Sequence, residues 1–267
     1  MLKDITIGQY FPGNTAIHRM DPRTKILSVI LYIAALFTSG GYVGYGLVLV
    51  YLIVAVRVSK IKLRTMLKGV KPLIFIIILT AILNMFYTPG NELFHIWKLT
   101  VTDNGVRNAA LMVARIIMLI TGTFLLTYTT SPITLTDGLE RLLSPLKKIR
   151  VPVHELAMMM SIALRFIPTL IEETDKIMSA QKARGADFET GNLIQKARAL
   201  IPILVPLFVS AFRRADELAT AMECRCYTGG EGRTRLNPLH WHRLDTLGLG
   251  VSLLLLAGVI VLRVFGL

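Results

Sequence analysis

The chain has 267 residues, of which 53% are hydrophobic and 18% charged, and its mean hydropathy is +0.58. This composition excludes an ordinary soluble globular domain and is typical of a membrane protein. The net charge of +13 would also suit a nucleic-acid-binding protein. Here, however, the basic residues alternate with apolar runs, which nucleic-acid binding does not require, so we expect no nucleic acid among the partners.

Five apolar runs predict membrane-spanning helices. They cover residues 26–38, 42–56, 72–87, 105–130 and 244–265. Several are shorter than the ~20 residues that cross a bilayer comfortably, so the first two need interfacial extensions or a thin bilayer. The glycine- and tyrosine-rich stretch 39–46 predicts a turn between them. No compact signal-peptide pattern precedes the first run, so we expect no cleaved leader.

Loop charge predicts the orientation. Six basic residues and no acidic ones separate the second and third runs: Arg57, Lys60, Lys62, Arg64, Lys68 and Lys71. The loop at 88–104 instead holds Lys98 against Glu92 and Asp103. The positive-inside rule then places the N-terminus and the long segment 131–243 in the cytoplasm and the C-terminus outside.

Arg115 lies deep in the fourth run, where an unpaired charge costs roughly 2.5–3.5 kcal/mol on insertion scales. Two interpretations remain open for it. Arg115 either pairs with another span or lines an interface with a partner protein.

The segment 131–243 predicts three amphipathic helices. They cover residues 132–146, an interfacial connector, and the longer stretches 154–182 and 192–222. The second carries Arg165, Glu172, Glu173, Asp175 and Lys176, so we predict that it does not cross the bilayer. Pro168 should bend it. In the third, the apolar run 200–208 is too short to span and is expected to pack on the second helix or under the membrane.

The predicted fold is therefore all-α. It is a polytopic membrane protein with about five transmembrane helices and a cytoplasmic domain of long amphipathic coupling helices. The corresponding regions are residues 1–130, 131–243 and 244–267.

Each long amphipathic helix ends in a triplet centred on arginine. The triplets are Ala183-Arg184-Gly185 and Cys224-Arg225-Cys226. Gly185 fits a helix C-cap, and a last-turn arginine complements the helix dipole, so a purely structural role is one interpretation. The repetition favours another, in which Arg184 and Arg225 dock to a partner, because a guanidinium binds carboxylates and carbonyl oxygens through a planar fork.

No catalytic, metal or cofactor site is predicted. Cys224, Cys226, His240 and His242 lack convincing zinc spacing, and no nucleophile motif occurs. The chain also lacks the G-x-x-x-x-G-K-[ST] motif of ATP-binding loops, so any energy has to come from a partner.

Several motifs together resemble the transmembrane T-component of energy-coupling factor transporters. They are Asp21-Pro22-Arg23-Thr24-Lys25, Arg165-Phe166-Ile167-Pro168, the stretch from Ala180 to Gly185, Arg214-Ala215-Asp216-Glu217-Leu218-Ala219 and Ala221-Met222-Glu223. The resemblance covers nearly the whole chain. It implies a non-catalytic subunit of a bacterial ABC-type importer in the cell membrane. That subunit joins two cytoplasmic ATPases to a substrate-binding membrane protein, the S-component, for uptake of a vitamin or metal ion.

The resemblance also assigns roles to residues. It implies that the triplets at 183–185 and 224–226 dock into grooves on the two ATPases. The family's second triplet is commonly Ala-Arg-Gly, whereas cysteines flank Arg225 here. We therefore expect the second helix end to be capped differently from the first.

We expect the long helices to act as levers between the ATPases and the S-component. Their predicted packing residues are Leu156, Met159, Phe166, Leu170 and Met178. An adaptable S-component contact is predicted at Met158, Met159, Met160 and Phe166, because methionine fits varied partner surfaces. Ordinary core filling is the other interpretation of the methionines.

Three alternatives remain. A dedicated cobalt or nickel importer has a transmembrane subunit with related motifs. A membrane enzyme could act on an anionic lipid or phosphate substrate, but converging carboxylates or histidines are not evident. A passive scaffold would not need two matched arginines.

Overall fold

The structure, a computed structural model, describes residues 10–89, 92–96, 99–188, 192–230 and 238–266. Over these ranges the fold is helical. The helices are α1 (Ala16–Arg19), α2 (Pro22–Thr38), α3 (Tyr42–Ser59), α4 (Leu63–Val70), α5 (Ile74–Tyr87), α6 (Asp103–Thr129), α7 (Pro132–Leu143), α8 (Val153–Ala183), α9 (Leu193–Cys224) and α10 (Arg243–Val264). Short 3₁₀ turns follow α4 and α7, at Lys71–Leu73 and Ser144–Ile149.

The helical class predicted from the sequence is confirmed, with one addition. Strands β1 (Glu92–Ile96) and β2 (Leu99–Thr102) form an antiparallel hairpin between α5 and α6. Lys98 of the predicted outer loop lies outside the described residues.

The chain forms two compact units. Of the described residues, those up to 138 and those from 239 onward form the bundle unit, and those from 139 to 238 form the hairpin unit, which contains α8 and α9. The C-terminal helix α10 therefore belongs with the N-terminal helices in one unit. From the sequence they were expected to be separate regions, 1–130 and 244–267.

One end of the bundle unit is held by buried polar contacts. The fully buried carboxylate of Asp245, at the start of α10, accepts from the backbone N–H of Asp21 at 2.7 Å. It also accepts from the N–H of His242 at 2.7 Å. The buried ammonium of Lys25 donates to the carbonyl oxygen of Thr129 at 2.9 Å. The starts of α2 and α10 therefore meet the end of α6.

The other end joins the opposite helix termini. Arg263, near the end of α10, donates to the carbonyl oxygen of Thr38 at the end of α2 (3.3 Å). Arg107, near the start of α6, lies 4.7 Å over the ring of Tyr42 at the start of α3. Helices α2 and α10 therefore run parallel to each other and antiparallel to α3 and α6. These relative helix directions are the ones that loop charge predicts. Which end of the bundle faces the cytoplasm stays a prediction.

The Asp21 carboxylate begins α2 at the position that the sequence motif indicates. Its Oδ1 accepts from the backbone N–H of Arg23 at 2.8 Å, as an N-cap does before Pro22 at N1. The Arg23 guanidinium also donates to both carboxylate oxygens, at 3.0 and 2.7 Å. Burial opposes ionisation of Asp21, but the bonds from Arg23 outweigh it and lower the pKa of this carboxyl.

The core of the bundle unit follows helical spacing along its members. Tyr32 and Leu36 of α2, Val48 of α3 and Leu255 and Val259 of α10 are buried in one cluster. The Tyr32 hydroxyl donates to the carbonyl oxygen of Met118 at 2.8 Å. Because lipid is as apolar as these side chains, close packing and such interhelical bonds hold the bundle.

Arg115 pairs with another span, which was one of its two interpretations. Its Nε donates to the Tyr45 hydroxyl of α3 at 2.6 Å, and the guanidinium lies 5.5 Å from the Tyr45 ring centroid. The Phe37 ring is 5.8 Å away. The charge is thereby bonded inside the bundle.

The predicted turn at 39–46 is shorter than expected. Only Ser39–Gly41 connect α2 to α3, and Gly44 lies inside α3. A Cβ on Gly44 would meet the Ser39 side chain, so this glycine permits close packing and does not mark the loop.

Six helical runs are long and apolar enough to cross a membrane by length and composition. They are Tyr42–Ser59, Leu63–Tyr87, Asp103–Thr129, Val153–Ala183, Ile194–Cys224 and Arg243–Val264. Helix α2 has 17 residues and is not among them; at ~1.5 Å per residue it is about 26 Å long, close to the ~30 Å hydrocarbon core. Length and composition therefore do not distinguish α8 and α9 from spans, and their cytoplasmic placement stays a prediction.

Replacing Asp245 tests the polar end of the bundle. Asp245→Ala leaves the buried N–H of Asp21 and the part-buried N–H of His242 without an acceptor and should cost about 2 kcal/mol of unfolding free energy. Asp245→Asn keeps one carbonyl acceptor and should cost about half as much. The measurement is the midpoint shift on SDS unfolding in detergent. Asp216→Ala, at an exposed position within α9, is the control and should unfold like the wild type. Equal midpoints for all variants would show that Asp245 does not stabilise the end of the bundle.

Candidate functional site

The end of α8 is a Schellman motif. Arg184 is the C-cap, and Gly185 follows it in the left-handed conformation with φ +88°. The N–H of Ala186 donates to the carbonyl oxygen of Gln181 at 3.0 Å, and the N–H of Gly185 donates to that of Lys182 at 3.0 Å. These two bonds close the helix end and fix where the Arg184 side chain leaves it.

The end of α9 repeats the motif residue for residue. Arg225 is the C-cap and Cys226 is left-handed with φ 54°. The N–H of Tyr227 donates to the carbonyl oxygen of Met222 at 3.0 Å, and the N–H of Cys226 to that of Glu223 at 2.8 Å. The expectation of a different cap was wrong, because the two hydrogen bonds hold a cysteine in a conformation that usually needs glycine.

Both triplets are open to the surroundings. All six of their residues are exposed: Ala183, Arg184, Gly185, Cys224, Arg225 and Cys226. Among the described residues, no side-chain hydrogen bond or ion pair to Arg184 or Arg225 is found. The cap therefore fixes only the backbone at each arginine, and each guanidinium is available to bind another molecule. We call the two exposed caps the arginine tips.

The two tips lie far apart along the hairpin unit. The Gln181 amide donates to the carbonyl oxygen of Pro202 at 3.5 Å, and Arg214 pairs with Glu173 at 2.9 Å, so α8 and α9 run antiparallel. Arg225 is 23 residues beyond Pro202. At ~1.5 Å per residue this places the second tip about 35 Å along α9 from the level of Gln181, close to the first tip.

Glu173 ties the two helices together. Its Oε1 accepts from the Ser210 hydroxyl and its Oε2 from the Arg214 guanidinium. Glu173 and Arg214 are only partly exposed, at 23% and 33% of their side-chain surface. One carboxylate thus uses both oxygens to fix α9 against α8. In the sequence, Glu173 counted only as one of the charges that argue against a membrane span, and its contact with α9 was missed. The motif containing Arg214 was the available signal, because it lies in this turn of α9.

A second contact supports the segment after the Arg225 tip. A Cβ on Gly230 would collide with the His154 imidazole at the start of α8, so the chain passes directly against that ring. His154 Nδ1 lies 3.0 Å from Glu140 of α7. The segment that leaves the second tip is therefore packed on the N-terminal end of α8.

The predicted S-component residues do not form one surface. Met159 and Phe166 share a helix face because they are seven residues apart, whereas Met158 and Met160 lie on either side of it. Met159 is 54% exposed, Met160 is exposed, and Met158 and Phe166 are partly buried.

The packing expected of the long helices was wrong in part. Leu156 and Met159 are exposed, so they do not pack between α8 and α9. The apolar run on α9 is likewise mostly exposed, apart from Ile203, which is 5% exposed, and Leu207, which is half-buried. The helices are joined through the polar tie at Glu173, and their apolar stripes remain uncovered within the described part of the chain. Such stripes are typical of a partner or membrane contact.

Within the described ranges, no group of three or more His, Cys, Asp or Glu side chains could hold a metal ion. Cys224 and Cys226 are free and exposed. That the protein uses no metal or cofactor stays a prediction.

Comparison with known proteins decides the family. A family model described as CbiQ, cobalt transport protein, matches residues 13–236. The chain belongs to the CbiQ family. The energy-coupling factor transporter transmembrane protein EcfT of Clostridium kluyveri is 55% identical over 267 residues, 99% of each chain. The protein of the same name from Thermosediminibacter oceani is 54% identical over 262 residues, covering 98% of this chain and 99% of that one. The family resemblance drawn from the motifs is confirmed.

This CbiQ-family chain is a multi-pass transmembrane component of a transport family. A further relative, the EcfT protein of Ruminiclostridium cellulolyticum, is 51% identical over 263 residues and 98% of each chain. Similarity therefore extends through the bundle unit and both arginine tips.

Glycine at position 226 should stabilise the second tip. Cys226→Gly removes the steric cost of a left-handed residue, roughly 1 kcal/mol, and should slow local opening of the α9 end. Hydrogen exchange of the Cys226 and Tyr227 amides measures this opening. Gly185→Ala should destabilise the first tip by about the same amount.

Cys224→Gly is the matched control, since residue 224 is helical. Glycine there should weaken the same helix end by roughly 0.5–1 kcal/mol. Faster exchange in Cys226→Gly than in the wild type would contradict the shared cap.

Proposed function

We propose that this chain is the transmembrane coupling component of an energy-coupling factor importer. In this role it passes ATP-driven motion from two cytoplasmic ATPases to a substrate-binding S-component. The observation that carries the proposal is the pair of matching Schellman caps, which present Arg184 and Arg225 at separate places on one helix pair, without a side-chain partner in the part of the chain that the structure describes. Two matched contacts suit two copies of one kind of receptor.

Docking requires that the guanidinium be aimed before it meets its partner. Each cap fixes the backbone at the arginine, so little conformational freedom is lost on binding apart from the side chain. The guanidinium then offers a planar fork to a carboxylate or to backbone carbonyl oxygens in an ATPase groove. The orientation that loop charge predicts puts both tips on the cytoplasmic side, where the ATPases would be.

Motion is passed on because α8 and α9 are tied to each other. When ATP binding closes the ATPase dimer, the separation or angle of the two docked tips changes. The bond of Glu173 to Ser210 and Arg214 makes α8 and α9 move as a linked pair. The face of α8 that carries the exposed Met159 and the partly buried Phe166 would pass this movement to the S-component.

The chain itself is proposed to be non-catalytic. Its sequence lacks an ATP-binding loop motif, and exposed arginines at helix ends suit the recognition of a partner protein. Substrate choice would lie in the S-component, which fits an apolar, methionine-containing contact that adapts to several partners.

A dedicated cobalt importer is the second candidate, because the matching family model is described as a cobalt transport protein. The two candidates share the arginine tips. They differ in cargo and in how many S-components the chain accepts. Isolation of the chain with several different S-components would favour the shared importer, whereas one fixed partner and cobalt or nickel uptake would favour the dedicated one.

Removing the tips should remove the ATPases. Arg184→Ala and Arg225→Ala should each reduce ATPase co-purified from detergent-solubilised membranes about tenfold, and the double variant should abolish substrate uptake. Arg184→Lys should recover only part of the binding, because an ammonium cannot make the forked contact.

Arg213→Ala is the matched control, an exposed arginine on α9 outside a cap. It should retain ATPase and uptake. If the folded double variant still bound active ATPases, the two arginines would have only a structural role at the helix ends, and the proposal would be wrong.

Breaking the helix tie should separate docking from transport. Glu173→Gln removes the ion pair to Arg214 but leaves both tips intact, so ATPase co-purification should be unchanged while uptake falls severalfold. Glu172→Gln, at the exposed neighbouring position, should transport normally. The assay is uptake per co-purified ATPase in proteoliposomes. Normal uptake by Glu173→Gln would show that the contact between Glu173 and Arg214 is not needed to transmit the ATP-driven motion.

A further inference from the structure

The bundle unit contains a cavity that the coupling role does not use. Its volume is about 420 Å³, within the roughly 300–1,000 Å³ of ligand pockets. It lies among α1, α2, α3, α6 and α10, at the end of the bundle where α2 and α10 start and α6 ends. Loop charge predicts this end to be cytoplasmic.

The cavity opens sideways between α3 and α10. Its lining includes Val54 and Val58 of α3, which are 54% and 42% exposed, and Leu247 and Val251 of α10, which are 65% and 52% exposed. Exposed aliphatic side chains on spanning helices face hydrocarbon. The entrance therefore leads from the lipid phase into the bundle.

Two arginines lie at the polar end of this entrance. Arg57 lies three residues after Val54 and so borders it on the surface of α3. Arg243 shares a face with Leu247, four residues on. Both are exposed, and no side-chain partner is found for either within the described ranges. The apolar entrance is thus bordered by two cations from different helices.

Polar groups also line the interior at the same end. Lys25 is 6% exposed, and its ammonium donates to three neutral acceptors, while the Asp21 and Asp245 carboxylates lie near enough to attract its charge. The Ser28 hydroxyl, one turn deeper, is buried and lacks a hydrogen-bond partner among the described residues. A pure hydrocarbon would leave that hydroxyl unbonded, whereas an ester carbonyl would accept from it.

We propose that this cavity is a binding site for one anionic phospholipid. An acyl chain enters between Val54 and Leu247 and fills the apolar interior. The phosphate lies at Arg57 and Arg243. The bilayer supplies this ligand at the entrance itself. The proposal stands on the bundle unit alone and does not depend on the coupling role.

Filling the cavity should expel the lipid. Ala55 lines the cavity on α3, and Ala55→Phe places a ring in the space without removing any contact. Native mass spectrometry of the full chain in detergent, with added phosphatidylglycerol or phosphatidylcholine, counts the bound lipid. We expect the wild type to retain one phosphatidylglycerol and Ala55→Phe to retain about tenfold less. Leu253→Phe, an exposed control on the opposite face of α10, should bind as the wild type does.

The headgroup is tested separately. The double variant Arg57→Gln/Arg243→Gln should lose the preference for phosphatidylglycerol over phosphatidylcholine, whereas Arg107→Gln, at the other end of the bundle, should keep it. Phosphatidylglycerol should also raise the unfolding temperature of the wild type, because a ligand of the folded state stabilises it, and this rise should disappear in Ala55→Phe. Equal binding of the two lipids by the wild type, or retention of the same lipid by folded Ala55→Phe, would overturn the proposal.

Discussion

Every buried backbone N–H and C=O group in this chain needs a hydrogen-bond partner, and this constraint acts mainly at the helix ends. In hydrocarbon an unsatisfied N–H or C=O group costs several kcal/mol, and a helix leaves such groups only at its termini. Asp245 meets the demand for the starts of α2 and α10 with a single carboxylate. At the end of α6, the carbonyl oxygen of Thr129 accepts from the Lys25 ammonium, and that of Tyr128 accepts from the N–H of Phe11. These contacts set which helix termini lie together and so establish the order of the bundle.

The same demand shapes the arginine tips in a different way. At the ends of α8 and α9 the chain satisfies its carbonyl oxygens with its own backbone, through paired Schellman bonds. The side chains of Arg184 and Arg225 are then not needed as caps and stay available. If the side chain of Arg184 or Arg225 itself capped its helix, its guanidinium would not be available to dock. The left-handed Cys226 shows that the geometry is kept even where the residue type opposes it.

The two units divide the work that an importer subunit needs. The bundle unit is rich in buried apolar contacts and is fixed at both ends by polar bonds. The hairpin unit has long helices, largely exposed apolar stripes and one carboxylate tie. Under the proposed function, exposure in the hairpin unit is expected, because its stripes and tips would be covered by partner proteins. The lipid site concerns the bundle unit and would anchor it in the bilayer while the other unit moves.

The sequence by itself determined the helical class, the approximate bounds of the long helices, their alternation in the bundle and the positions of both arginine tips. Those features depend on local signals: apolar length, loop charge, and glycine or arginine at a helix end. Only the tertiary structure decided that Asp245 reaches Asp21 across 224 residues, that Arg115 binds Tyr45 and that Glu173 joins α8 to α9. It also decided that Cys226 is capped like Gly185 and that Leu156 and Met159 are exposed. Contacts between distant residues depend on how helices pack, and helical periodicity says which face is apolar without saying what covers it.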